Sequence, residues 1–492
     1  MHILSLILWT PATAALIITL MPDYRPQWIR RVALGGAVGA LVPAWCLAFG
    51  FNAQSAAAQF FESRPWNPEL GSVYALGVDG FSLPMLLLAT LLALVALLAS
   101  FNLAERVKGY HVCLLILESG MLGVFMAQDW VLFYVFWEMT LIPLFFLIDQ
   151  WGGRRKHTAS LNFVLYTLGG SVFMLIALLM IYTSTPEHST AMADMGKTAA
   201  ALPRDQQILV FLGLLVGFGV KMPIFPLHGW LPLAHVEAPS PVSILLSGVL
   251  LKMGAYGILR ACAMLPLAVA ALQPWLAGLA LVSIVYGGLL AWRQSDLKAM
   301  VAYSSVSHMG VVLLGISTMN PAGLLGATLQ MSAHGLVAAA LFLLIGLLYE
   351  RTHTREIADY SSLVMAAPRF AVFTTLALLA AMGLPGTAGF VAELHTLVGG
   401  FERWGWWVLG LALGVLVSAA YALRTLGRLF TGPVSPRMRE VADLRGTELA
   451  AVGLLSFGVV ALGVAPSPAL HLIGAAVAQL SAAAIPANAA EP

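Results

Sequence analysis

The sequence predicts an all-α integral membrane protein of about 14 transmembrane helices, built around two inverted five-helix repeats that each contain a broken helix. Three observations carry this. The 492-residue chain is 60% hydrophobic but only 10% charged, where an ordinary soluble domain has about 25% charged residues. Its apolar residues gather into runs long enough to cross a bilayer, which takes about 20 residues. Proline and glycine interrupt two of those runs at corresponding places.

In chain order the runs are 2–21, 30–51, 80–101, 109–127, 130–149, 158–183, 207–230, 241–262, 274–292, 296–317, 321–349, 369–399, 404–430 and 448–475. The first lacks a basic n-region and reads as a spanning helix rather than a cleaved signal. Very short connections, as between Ala127 and Trp130, force neighbouring helices to be antiparallel. The longest loops, 52–79 and 184–206, are too short for a soluble domain. Four segments follow: an N-terminal three-helix segment (1–108), a first five-helix repeat (109–262), a second, inverted one (263–430), and a cytoplasmic loop with the final helix (431–492).

Orientation follows from the excess of Lys and Arg on the inner side. With the N-terminus outside, the inner loops hold Arg25, Arg30, Arg31, Arg106, Lys108, Arg154, Arg155, Lys156, Arg293, Lys298, Arg351, Arg355, Arg369, Arg424, Arg428, Arg437, Arg439 and Arg445. The outer side holds Arg64, Lys197, Arg204, Arg260 and Arg403, a ratio of 18 to 5. One missed helix would invert every later loop, so the bias supports the helix count as well. Both termini then face outward, which in a bacterial inner (plasma) membrane is the periplasm.

Four ionisable residues lie inside apolar runs: Glu138 (YVFWEMTLIP), Lys221 (GFGVKMPIFPLHGW), Lys252 (GVLLKMGAYG) and Glu393 (GFVAELHTL). Each charge costs about 2.5–3.5 kcal/mol to insert centrally, so partners, water or function must compensate it. Lys252 is twelfth of about 22 residues in its run and Glu138 ninth of about 20, both near the midplane. The bland alternative is a structural ion pair or a snorkelling side chain.

Lys221 is followed by Pro223 and Pro226, and Glu393 by position belongs with Gly383-Leu-Pro385-Gly386. Proline removes a backbone donor, and the freed groups must then meet protein or water rather than lipid. Both interrupted runs are the fourth of their five-helix unit. Such paired interruptions mark inverted repeats around a transport path. His308 and His334 are thirteenth and fourteenth in their runs, and His228 and His235 flank the end of the broken seventh helix. A neutral imidazole can pass a proton between its two nitrogens, although a lone membrane histidine can equally serve as an interhelical hydrogen bonder.

These residues suggest proton transport. At about 6 Å and an effective dielectric near 20, a Glu138–Lys221 pair interacts by roughly 2.8 kcal/mol. Moving one charge against about 150 mV takes about 3.5 kcal/mol. Opening and closing the pair is therefore a switch of the right size, with Lys252, His308 and His334 relaying the proton toward Glu393. The sequence carries no Walker A loop, dinucleotide fingerprint or metal-ligand cluster. Its three cysteines, Cys46, Cys113 and Cys262, are scattered in apolar runs, which fits neither a disulfide framework nor a metal site. The energy source is expected in partner subunits or an ion gradient.

The stretches FYVFWEMTLIPLFFLI, GFGVKMPIFPLHGWLPLAHVEAP, AYSSVSHMGVVLLGI, LQMSAHGLVAAALFLLIGLLYERTHTREI and GLPGTAGFVAE resemble the proton-translocating, antiporter-like subunits of respiratory complex I, those of the NADH dehydrogenase chain 4 type. The resemblance runs from about residue 70 to about residue 430. It implies the same fold, a glutamate–lysine pair at Glu138 and Lys221, a central lysine at Lys252, an exit residue at Glu393, and proton-relay histidines at His228, His308 and His334. It also implies other membrane-arm subunits of complex I as partners, including sister antiporter-like subunits, and contact with membrane lipids but not nucleic acid. No cofactor is expected in this chain; NADH, FMN, iron–sulfur clusters and quinone belong to partner subunits. The chain departs from the pattern at Leu233, Ala299 and His395. A Mrp-type sodium/proton antiporter subunit, a subunit of an energy-converting membrane hydrogenase and a passive scaffold are the alternatives. Glu393 and YERTHTREI favour the complex I reading.

Overall fold

The computed structural model describes residues 2–433 and 438–488; the inner-side Arg437 lies outside the described residues. The helices are α1 (Ile3–Leu20), α2 (Pro26–Gly50), α3 (Ser82–Ala99), α4 (Val107–Met126), α5 (Trp130–Met139), α6 (Leu141–Trp151), α7 (Lys156–Ser184), α8 (Met192–Ala201), α9 (Arg204–Lys221), α10 (Leu231–Glu237), α11 (Ser240–Leu245), α12 (Leu251–Met264), α13 (Pro266–Arg293), α14 (Leu297–Thr318), α15 (Pro321–Thr352), α16 (Pro368–Ala381), α17 (Ala388–Trp404), α18 (Leu409–Phe430), α19 (Gly446–Val464) and α20 (Ser467–Asn488). Four crossings are interrupted: α5 with α6, α9 with α10, α11 with α12, and α16 with α17. Counting each once, and leaving aside α8 and α20, gives 14 crossings among the described residues.

A membrane helix that is apolar all round but buried in protein belongs to the interior of the bundle. The most apolar window of the α11–α12 crossing is 100% buried, and those of α14 and α15 are 94% buried. Those of α1, α2 and α7 are at most 39% buried and form the perimeter. Lys252, His308 and His334 are thus carried by the three most enclosed crossings. Small residues bring these backbones together, as they do in membrane bundles generally. A Cβ on Gly254 of α12 would meet the Phe218 carbonyl and the Met222 amide at the end of α9.

The loop 52–79 is not irregular. It forms an antiparallel hairpin of β1 (Gln59–Asn67) and β2 (Ser72–Val78), with Glu62 opposite Leu76 and Arg64 opposite Tyr74. Asn67 accepts hydrogen bonds from the Glu69 and Leu70 amides, and Gly71 takes the left-handed turn position at φ 62°. Three carboxylates bind this region to helix starts. Glu62 accepts from the Leu4 and Ser5 amides at 2.7 and 3.2 Å. Asp79 accepts from the Phe81 and Ser82 amides and pairs with Arg260 of α12 at 2.7 Å. Asp129 accepts from Val131 and Leu132 of α5 and from Val73 of β2.

The expected final helix, 448–475, is two helices. Pro466 cannot continue the backbone ladder of α19, and α20 departs in a new direction. Its Leu472 and Ala476 pack on Gly80, and Leu480 lines a cleft with Cys262, Pro266, Gln273 and Met319. Those residues mark the ends of α12, α13 and α14 on one face, so α20 lies across that face instead of completing a crossing.

Candidate functional site

The structure brings Lys252, His334, His308 and Glu393 into one line across four helices. Lys252 Nζ and His334 Nδ1 are 2.7 Å apart. The His334 and His308 rings have centroids 5.3 Å apart. His308 Nδ1 lies 3.8 Å from Glu393 Oε1. All four side chains are buried. His308, His334 and Glu393 border a common cavity with Ser304 and Gln330 that has room for about one water.

Two backbone devices build this line. Residues Leu246–Leu250, between α11 and α12, form a turn of π-helix. Such turns free a carbonyl from the helical ladder and recur at functional sites. Here the Ser247 carbonyl accepts from Lys252 Nζ at 2.6 Å, and Ser247 Oγ meets Ser305 Oγ of α14 at 3.1 Å. The second device is the break between α16 and α17. Gly383 (φ 75°) and Gly386 (φ 90°) take left-handed conformations that other residues adopt at a cost. A Cβ on Gly383 would collide with Glu393 Oε2. The glycine is therefore needed twice, for its backbone angle and for the space the carboxylate occupies.

Lys221 ends α9 and is 2% exposed. Its Nζ donates to Thr140 Oγ1 at 3.1 Å, at the junction of α5 and α6, and lies 5.0 Å from the Trp137 ring centre. Glu138 is near enough to act on the lysine electrostatically, but the two form no direct ion pair. One Glu138 oxygen is buried without a hydrogen-bond partner, while the side chain as a whole is half-buried at the edge of α5. Glu138 and Lys221 are thus neighbours without direct contact. His228 stands apart from the line, packed between Phe225 and Tyr286, with its Nδ1 unpartnered.

The family described as NADH:quinone oxidoreductase/Mrp antiporter, TM, matches residues 127–419, which take in every one of these groups. NADH-quinone oxidoreductase subunit M of Rhodobacter capsulatus is 40% identical over 97% of this chain and 96% of its own length. The chain belongs to the subunit M family of proton-translocating, antiporter-like membrane proteins. A chain in the structure of respiratory complex I from Thermus thermophilus with bound NADH superposes with a TM-score of 0.88 at 32% identity, covering 98% of this chain and 100% of that one. A chain of the Mrp complex from Dietzia sp. DQ12-45-1b shares the fold at 22% identity and a TM-score of 0.85, covering 98% of each.

Sequence reasoning assigned no place in the site to two further groups of this subunit M relative. Lys298, assigned above to an inner loop, sits in the first turn of α14, is 4% exposed, and donates to the Ala238 carbonyl at 2.8 Å. His235 of α10 is fully buried and stacks on Phe342 at 4.5 Å with both ring nitrogens unpartnered. It lies within electrostatic range of Lys298 on one side and of Lys252 and His334 on the other. Lys298 was hidden by its place two residues after Asp296, at the helix start, where a lysine reads as loop. His235 was visible as a helix-flanking histidine, but its partners come from α12, α14 and α15.

Proposed function

We propose that this chain carries protons across the membrane through Lys252, His334, His308 and Glu393, with Lys298 and His235 as the approach from the inner face and Glu138–Lys221 as the switch. The observation that supports this best is the Lys252–His334–His308–Glu393 line, whose closest approaches are 2.7 and 3.8 Å. Lys252 passes a proton to the His334 ring; His308 receives it through the water-sized cavity; Glu393, at the bend between α16 and α17, accepts it and delivers it outward. Each transfer needs only hydrogen-bond distances or one bridging water.

The driving chemistry lies with partner subunits of an NADH-quinone oxidoreductase, where NADH, FMN, iron–sulfur clusters and quinone belong, and this chain acts as its translocase component. The segments 1–108, 109–262, 263–430 and 431–492 are its functional divisions. Its setting is the bacterial inner membrane with both termini on the periplasmic side. His228 contributes as a relay group only through water, since Phe225 and Tyr286 stand around it.

The test is Lys252→Met in the assembled oxidoreductase reconstituted in liposomes. Acidification driven by NADH should vanish while the subunit remains in the complex. Undiminished pumping would refute the route.

A further inference from the structure

The cavity beside Glu393 has a neighbour. A second cavity lies between α14, α15, α16 and α18 and shares Val301 and Leu341 with the first. From there it runs past Leu344 to Leu348, Phe370, Leu297 and Leu429. These lie beside the inner ends of their helices, next to Arg351, Arg369, Lys298 and Arg428 in sequence. It leads from the cavity beside Glu393 toward the inner face, and hydrocarbon lines it. The exceptions are Thr374, whose buried hydroxyl has no hydrogen-bond partner, and Thr425, whose hydroxyl is spent on the Tyr421 carbonyl. Water needs two or more polar partners to stay in such a space, and apolar cavities remain dry.

We propose that this cavity is a dry seal that denies inner-side protons direct access to Glu393, with Val301 and Leu341 as the residues that close it. The proposal rests on the reading of Glu393 as a proton-transfer group. A pump of this kind needs one route open and any direct one shut. A proton that reached Glu393 without passing Lys252 and His334 would bypass the switch at Lys221, and returning protons would use the same short cut. Thr374 marks where water would first find a partner if the seal opened. The sealing residues are therefore coupling residues: they touch no proton, yet set how many protons are moved for each NADH oxidised.

The variants are Val301→Thr, which keeps the side-chain shape and adds a hydroxyl, and Leu341→Ser, which opens space as well. The assembled oxidoreductase in liposomes gives two readings: protons moved per NADH oxidised, and the decay of an imposed proton gradient without NADH. The expected result is a several-fold faster decay and a lower proton yield with NADH oxidation retained, and restored tightness when Glu393→Gln is added. Membranes as tight as the parent's for both variants would overturn the seal. So would a leak that persists with Glu393→Gln, because those protons would be travelling elsewhere. If Leu341→Ser does not assemble, the isosteric Val301→Thr decides alone. Normal pumping by Glu393→Gln by itself would instead refute the role of Glu393, and it is read separately from the leak.

Discussion

The two repeats solve the same problem with different degrees of closure. In the first, Lys221 is held by one hydroxyl and an aromatic face, and Glu138 stands off from it. In the second, His334, His308 and Glu393 form a close-set line that begins at Lys252, at the end of the first repeat, with neighbours at or near contact distance. A close-set line transfers protons with little rearrangement, whereas an open pair changes its interaction energy steeply with small movements, since Coulomb energy scales inversely with distance. Under the proposed function, the Glu138–Lys221 pair senses and switches, and the line from Lys252 to Glu393 conducts.

The largest effect should come from breaking the switch. Lys221→Ala should abolish pumping while leaving assembly intact, read as NADH-driven acidification alongside the subunit's presence in the purified complex. Normal pumping would remove the lysine from the mechanism and erase the contrast. Next comes Gly383→Ala, which places a methyl group where Glu393 Oε2 lies and forces a left-handed residue. It should cost most of the pumping, and about 1 kcal/mol or more of stability from the backbone term alone. Equal pumping by that variant would show that the second line tolerates displacement of its carboxylate. Thr140→Val sharpens the comparison further. It removes the one hydrogen bond to Lys221, worth about 1 kcal/mol, and should shift the pH at which pumping is half-maximal without abolishing it. An unchanged pH profile would mean that Thr140 only packs.

The smallest expected effect concerns how the two broken crossings are anchored. The start of α16 is held by a carboxylate: Asp443 accepts from the Arg369 and Phe370 amides at 3.0 and 2.9 Å. The start of α9 is steadied by the neutral Gln207, which donates to the Ala200 and Leu202 carbonyls. Desolvation works against the Asp443 charge, but the amides of Arg369, Phe370 and Leu444 and the Arg369 guanidinium outweigh it and hold the carboxyl below the usual aspartate range. A depressed carboxyl stabilises fully above its unfolded value, near pH 3.9. That contribution fades as pH falls through the lower, folded value. Acidification should therefore loosen α16 before α9, seen as earlier hydrogen exchange at Arg369 and Phe370. Asp443→Asn, which keeps the acceptor but loses the charge, should lower stability at neutral pH by about 0.5 kcal/mol and remove that pH dependence.

Much of this was legible in the sequence because a bilayer makes charge conspicuous. Glu138, Lys221, Lys252 and Glu393 stood out against apolar runs, and the prolines and glycines beside Lys221 and Glu393 announced the breaks. Hydropathy taken alone does less well: it finds 12 spans, passing over α9 because Arg204, Asp205 and Lys221 fall within it and fusing α17 with α18. What stayed hidden depends on contacts between distant segments. The hairpin of β1 and β2 reads as a polar loop because its pairing is settled by contacts with segments far off in sequence, among them a bridge from Leu76 to Ala127. The π-turn at 246–250 leaves no residue signature in LSGVL. Glu118 of α4 is also buried in an apolar run, and both its oxygens lack a hydrogen-bond partner.

The three carboxylates around the hairpin have a mechanical consequence. Glu62, Asp79 and Asp129 each grip the start of a different helix, α1, α3 and α5, and Asp79 also ties in α12 through Arg260. With α20 laid across the same side, that face behaves as a brace. If the helices move during turnover, their fastened ends should move least, as the fixed end of a lever does.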